Sequence, residues 1–302
     1  MKKFFIIDGN AIFHRAYHSM PPFKTSKGEV TNAIYGFMRM LLDLYLKEKP
    51  DFLGIAWDRK KKTFRHEEFA DYKATRKEAP DDLFPQLPRL KEIISAFNIP
   101  SLELDGFEAD DILGTIARKA EEEPDLQVTI VTGDKDAFQL VDDKVRVMTP
   151  VTGITKVVVY DPAKVKEKMG VRPDQVIDFK ALMGDPSDNI PGVPGIGQKQ
   201  ALELLHKYDT LENIYEHLEE LKEGQQKKFT EGRESAELSK RLATIVLDVP
   251  VEYDLAKYVT HDIAYDKAEE LFTELEFKSL IRRLEELQGI LKKPEAEQQS
   301  MF

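Results

Sequence analysis

Phe4-Phe5-Ile6-Ile7-Asp8-Gly9-Asn10 runs four apolar residues straight into a carboxylate. The pattern recurs in Phe52-Leu53-Gly54-Ile55-Ala56-Trp57 before Asp58, and in Val128-Thr129-Ile130-Val131-Thr132-Gly133 before Asp134. Short apolar runs of this kind read as strands covered on both faces, as in a parallel sheet. Between them, Ile34, Phe37, Met38, Leu41, Leu42 and Tyr45 recur at helical spacing and predict a helix over 31–48. A second helix is expected near 86–97, a short strand at 101–104, and a hairpin over 144–159 turning at Val151-Thr152-Gly153. Strand and helix in alternation predict an α/β domain. In open α/β sheets the ligand crevice lies beyond the carboxyl ends of the strands, so Asp8, Asp58 and Asp134 should meet at one sheet edge.

More acids join them. Gly106-Phe107-Glu108-Ala109-Asp110-Asp111 opens a further helix, where acidic residues in the first turn are favoured by the helix dipole. Glu108 and Asp111, three apart, share a face. Asp136, Asp185 and Asp188 complete a set of nine. A lone Asp at a strand end is usually a turn or cap residue. Nine carboxylates packed together repel and resist ionisation, and the simple remedy is divalent metal held by hard oxygen ligands.

The chain of 302 residues argues for one large or two ordinary domains, and 41% hydrophobic with 33% charged residues suits a globular protein. It contains no cysteine, which excludes disulfides, thiolate zinc sites, iron–sulfur clusters and a Cys nucleophile. No stretch is apolar enough to span a membrane, and Asp8 interrupts the N-terminus too early for a signal peptide; a cytoplasmic location fits. Neither a metalloprotease His pair nor a Walker A motif occurs, which argues against a zinc hydrolase and a nucleotide-driven one. A net charge of −11 speaks against nucleic acid until its placement is considered, because nine of the negative charges belong to the acid set. Residues 59–77 hold Arg59, Lys60, Lys61, Lys62, Arg65, Lys73, Arg76 and Lys77 against only Glu67, Glu68 and Asp71.

After about residue 161 the strand pattern stops and short helices run to about 288; residues 289–302 carry no core pattern and read as a flexible tail. The segment 184–199 is dense in Gly and Pro before a helical run. Gly192, Gly195 and Gly197 allow close backbone approach, and N–H groups at the following helix start can hold a phosphate without reading sequence. Lys199 is placed to add a phosphate contact.

Five blocks, in order, carry a family resemblance: Ile7-Asp8-Gly9-Asn10; Phe64-Arg65-His66-Glu67 with Tyr72-Lys73; Gly106 through Asp111; Thr132-Gly133-Asp134-Lys135-Asp136; and Gly184 through Gly197. They resemble the 5′-nuclease superfamily of flap endonucleases and the N-terminal 5′→3′ exonuclease domain of bacterial DNA polymerase I, most closely the latter branch, over residues 4–288. Ala137-Phe138, where two leucine-like residues are common, and Pro186, inside the Asp185–Asp188 spacing, are the departures.

The resemblance implies an α/β, PIN-like parallel-sheet nuclease domain over 1–170 with a helical arch at about 59–84, then an α-helical helix-three-turn-helix DNA-binding domain over 171–288. It implies two or more Mg2+ or Mn2+ ions. Asp8, Asp58, Glu108, Asp110 and Asp134 would serve the first ion, and Asp134, Asp136, Asp185 and Asp188 the second. Asp111 matches a further acidic position with a less direct role. Lys73 and Arg65 would contact the scissile phosphodiester. Tyr72 would stack on a base, with Arg15, Arg76 and Lys77 guiding the strand. The 192–197 turn would hold duplex with K+. The expected substrates are branched or nicked duplex DNA with a 5′ flap and RNA–DNA primers, cut by a two-metal hydrolysis in primer removal and repair by a monomer. The tail Gln298-Gln299-Ser300-Met301-Phe302 resembles the peptide by which bacterial replication proteins dock on the sliding clamp, through Gln298, Met301 and Phe302. Two rivals remain: a PIN-type ribonuclease, which would not need the 192–197 turn, and a non-catalytic junction binder, which would not need the acids.

Overall fold

The computed structural model describes residues 1–153 and 156–291. Phe4, Phe5, Ile6 and Ile7 are each at most 3% exposed, because β1 (Lys2–Asp8) lies in the middle of a six-stranded sheet. The other strands are β2 (Phe52–Ala56), β3 (Ser101–Leu102), β4 (Leu126–Val131), β5 (Val145–Thr152) and β6 (Lys156–Tyr160). Their order is β3-β2-β1-β4-β5-β6. The first five are parallel and β6 runs antiparallel to β5, as the expected hairpin requires. The chain moves outward from β1 through β2 to β3 and then returns to β4 on the other side of β1. The order therefore reverses between β1 and β4, and a crevice opens at such a switch point beyond the strand ends.

Two of the expected strands stop short of their acids. β2 ends at Ala56 and β4 at Val131, so Asp58 and Asp134 stand beyond the ladder. The apolar run marks what is buried, not where pairing ends: Trp57, 1% exposed, still packs against Phe37 with ring centroids 5.8 Å apart. β3 spans two of the four residues expected.

Apolar residues fill both faces of the sheet. One face carries the helices Gly9–Ser19, Asn32–Glu48 and Leu87–Ala96, and the C-terminal helices Tyr265–Glu274 and Lys278–Leu291 return to the same core. Arg283 is bonded to Asp43, and Ala264 N–H donates to Ala96 O at 2.8 Å, tying that return in place. The other face carries the helix Ala109–Ala120, whose core continues into the helices between Pro162 and Ala243. The helical C-terminal part is thus fused to the sheet by a shared core.

The arch expected at 59–84 is not a helical arch here. Its one α-helix is Phe64–Glu68, five residues long, followed by turns. The segment is anchored to the helical part. Arg65 Nε donates to Leu242 O at 2.9 Å and Asn189 Nδ2 to Asp71 O at 2.8 Å, while Tyr72 packs with Ile190, Leu242 and Ala243. The clamp-like residues Gln298, Met301 and Phe302 lie outside the described residues.

Candidate active site

The topology brings seven of the nine acids to two adjoining clefts. Asp8, Asp58, Glu108, Asp110 and Asp134 line one cleft of about 480 Å³, facing Lys73, Arg76 and Lys77. A wider cleft of about 860 Å³ adjoins it and takes Asp134, Asp136 and Asp185 together with Arg15, Lys135 and Lys180. Asp134 and Arg76 belong to both walls.

Each acid is set by local structure. Asp8 ends β1 and caps the next helix: its Oδ1 accepts from Ala11 N–H at 2.9 Å, and its Oδ2 from Thr132 Oγ1 at 2.8 Å. Asp58 Oδ1 accepts from Ala109 N–H at 2.7 Å, which ties the end of β2 to the start of the helix Ala109–Ala120. Glu108 is the N-cap of that helix, and Asp111 closes the capping box by accepting from Glu108 N–H at 3.0 Å. Asp134 Oδ1 accepts from Asp136 N–H at 2.9 Å, so the loop after β4 turns both acids inward.

Burial in this corner opposes charge. Burial, reinforced by Asp58, pushes the Asp8 carboxyl up to about 7 from 3.8. Asp110 is pushed well up by burial first, then by Asp8 and Asp134. Its Oδ1 is sealed from solvent and has no hydrogen-bond partner among the described residues. An orphaned carboxylate oxygen beside a second acid whose carboxyl is pushed up by burial is the environment a divalent cation relieves. The donor set, all carboxylate oxygen, fits a hard ion such as Mg2+. Among the described residues no three acids or histidines close into a ready-made cage.

The remaining acids meet cations of the chain itself. Lys73 Nζ donates to Glu108 Oε1 at 2.8 Å and lies 3.8 Å from Asp188 Oδ2. Arg76 Nη2 donates to Asp188 Oδ1 at 2.5 Å. Lys180 Nζ bridges Asp136 and Asp185, the latter at 2.6 Å. Burial alone would raise the Asp185 carboxyl, but the Lys180 ammonium outweighs it and holds the group at about 2. Lys73 adopts a left-handed backbone, φ 58°, held by its N–H donating to Asp188 O at 2.9 Å. Such a conformation in a non-glycine residue is uncommon, and here it presents the ammonium to the acids.

Three expected roles are corrected by this geometry. Arg65 does not face the cleft: it is 2% exposed, paired through both Nη atoms with Asp111 at 2.8 and 2.7 Å and bonded to Leu242 O and Thr244 O. Asp111 is fully buried under that pair and lines neither cleft, so it is not placed as a metal ligand. A planar guanidinium and a carboxylate sealed from water satisfy each other, leaving neither for DNA. Tyr72, 4% exposed, donates its hydroxyl toward Glu108 at 3.1 Å and Asp188 at 3.2 Å, so its ring is not open for a base. Lys73, Arg76 and Lys77 do line the acid cleft, and Arg15 lines the wider one while its Nε donates to Gly153 O at 3.0 Å.

The sequence pattern alone does not single out Lys180. Its signal is a lysine inside the apolar helix Val176–Met183, a position that needs a buried counter-ion. Thr132, which orients Asp8, was hidden at the end of an apolar run.

The 192–197 turn packs against Gly184, next to Asp185, and the helix it opens reaches the wider cleft at Gln198. Gly192 has φ +68°, and a Cβ there would stand 2.2 Å from Gly184 N, so only glycine fits. Gly192 O accepts from Ser235 Oγ at 2.6 Å, and Gly195 O, at φ +79°, from Lys228 Nζ at 2.7 Å. Gly197 caps the helix Gln198–Tyr208 and faces open space, with Lys199 exposed beside it.

Comparison with known proteins agrees with this architecture. The profile of the 5′-3′ exonuclease N-terminal resolvase-like domain matches residues 3–170, and that of the 5′-3′ exonuclease C-terminal SAM fold matches 171–266. The DNA polymerase I of Caldicellulosiruptor bescii is 44% identical over 284 residues, 93% of this chain and 33% of the polymerase. The chain thus spans about a third of the length of such polymerase relatives. A 5′-3′ exonuclease of Aquifex aeolicus is 38% identical over 288 residues, covering 95% of this chain and 96% of that protein. Among solved structures, the T5 5′-exonuclease with bound zinc superposes with a TM-score of 0.67 at 20% identity, over 96% of this chain and all of that one. The catalytic core of Rad2 in complex with DNA substrate gives 0.62 at 15% identity, over 95% and 92%. At those identities the two structures speak for the fold. With both family profiles in register and the acids meeting at the sheet's switch point, the chain belongs to the 5′-3′ exonuclease family of nucleases.

Proposed function

We propose that the chain is a structure-selective 5′ nuclease that hydrolyses phosphodiesters at 5′ flaps and nicks in duplex DNA with divalent metal, Mg2+ or Mn2+. The observation that carries this is the corner of Asp8 and Asp110, where burial pushes one carboxyl up to about 7 and leaves the other with an orphaned oxygen. Asp8, Asp58, Glu108, Asp110 and Asp134 would hold one ion; Asp134, Asp136 and Asp185 would serve a second, with Asp188, outside both cleft linings and bonded to Arg76, acting through water. Bound there, such ions supply a water of lowered pKa and clamp the scissile phosphate. Lys73 and Arg76 then act on the phosphate as cations already fixed at the cleft wall, stabilising charge that develops in the transition state. Lys77 and Arg15 guide the strand along the two adjoining clefts. The turn at Gly192, Gly195 and Gly197, with backbone N–H groups at the start of the helix Gln198–Tyr208 and Lys199 nearby, grips a duplex phosphate without reading bases.

A potassium ion at that turn belongs to the same reading, and it would share Gly195 O with Lys228. RNA–DNA primers are the natural companion substrate, since phosphate contacts do not discriminate the sugar. Docking on a sliding clamp through Gln298, Met301 and Phe302 is a separate proposal. The test uses labelled 5′-flap DNA, single-stranded RNA and blunt duplex, incubated with Mg2+ and then with chelator. Flap cutting that needs Mg2+ is the expected result. Binding without cutting would make the chain a junction binder, and a preference for the RNA would make it a ribonuclease.

A further inference from the structure

Lys180 occupies an unusual place. It sits in the helix Val176–Met183 with its residue 6% exposed, between Phe179 and Ala181, which are both buried. Its ammonium reaches Asp136, in the loop after β4, and Asp185, just past its own helix. Asp185 is fully engaged: Oδ1 accepts from Ser187 N–H at 2.8 Å and Ser187 Oγ at 2.6 Å, and Oδ2 accepts from Lys180. Any ion that used Asp185 Oδ2 and Asp136 Oδ1 would have to take the atoms that Lys180 now holds.

We propose that Lys180 is a placeholder cation on the Asp136–Asp185 pair, so that loading of the second divalent ion is an exchange of the Lys180 ammonium for the ion. Two acids buried together need positive charge whether or not metal is present. The ammonium meets that need with one charge and lets the sheet loop and the helical part assemble without metal. A divalent ion brings twice the charge to the same oxygens, and the released ammonium stays at the wall of the wider cleft, where a DNA phosphate is its next counter-ion. The second ion and the substrate then favour each other's binding. Among the described residues no lysine or arginine hydrogen-bonds Asp8 or Asp110, so an ion on those two acids displaces no cationic side chain from them; Lys73 meets that cleft only through Glu108.

This rests on the two-ion reading above, and the experiment separates the two. Mn2+ binding to the whole chain without DNA is measured by calorimetry and electron paramagnetic resonance for wild type, Lys180→Met and Lys180→Arg. The expectation is a tight and a weak class of ion in wild type. The weak class should tighten by about tenfold or more in Lys180→Met, where no competing charge remains, and stay weak in Lys180→Arg. Equal weak-class affinity in all three overturns the exchange and leaves the two-ion reading standing. A single class of ion in all three overturns both. Should Lys180→Met not fold, a Mn2+ soak of wild-type crystals decides the matter. Lys180 Nζ leaving both carboxylates supports the exchange; an ion on Asp185 beside an unmoved Lys180 sinks it.

Discussion

The Asp8–Asp110 corner and the Asp136–Asp185–Asp188 corner bury the same kind of group and balance it in opposite ways. At the first, no lysine or arginine hydrogen-bonds either acid among the described residues; Asp8 leans on a backbone amide and a threonine, and Asp110 leaves an oxygen alone. At the second, Lys180, Arg76 and Lys73 are already in place. Negative charge in a protein interior must be met by a proton, a built-in cation or a borrowed one. At one corner burial pushes the carboxyls up, a condition that a borrowed cation relieves. The other carries its own.

The comparison can be attacked first where the effect should be largest. Asp110→Asn removes a charge from the corner with no replacement, and single-turnover cleavage of a flap should fall by at least about a thousandfold. Its melting temperature without metal should hold or rise, because a repelling carboxylate is gone; a clear loss of stability would show that Asp110 is structural. Arg65→Met should do the reverse. It leaves Asp111 buried and unpaired, and breaking such a pair costs about 3–5 kcal/mol, read by denaturant unfolding. Unchanged stability with lost phosphate affinity would restore the role first expected for Arg65.

Lys73→Ala tests the cation shared between the corners. Chemistry should slow by about a hundredfold while duplex affinity changes little; parallel loss of both would make Lys73 a docking residue. A smaller effect is set by pH. Folding raises the Asp8 carboxyl from 3.8 to about 7, so the folded chain binds this proton more tightly than the unfolded one. The group's contribution to stability is therefore full below 3.8 and is lost as pH rises through about 7. Chelator-treated wild type should melt several degrees lower at pH 8 than at pH 5.5 on this account, and Asp8→Asn should flatten that slope. A slope of the same size in Asp8→Asn would assign it to other groups.

Much of this was legible in the chain. Apolar runs that end in acids announce buried parallel strands, and strand–helix alternation sends their carboxyl ends to one edge, because period and burial are local properties. The convergence of Asp8, Asp58 and Asp134 follows from that rule alone, and the first turn at Glu108 brings Asp110 with it by helix geometry.

What the local pattern does not contain is which charges face each other across separations of 44 to 112 residues. Arg65 and Tyr72 sit in a basic, polar stretch that reads as a solvated or DNA-facing surface. They are buried because Leu242, Thr244 and Asp188 arrive from the other end of the chain. Lys180 looks like an interruption of an apolar helix until Asp136 is brought beneath it. Residue type decides which groups carry charge; only the folded packing decides which of those charges are already answered, since desolvation and Coulomb energy depend on neighbours in space.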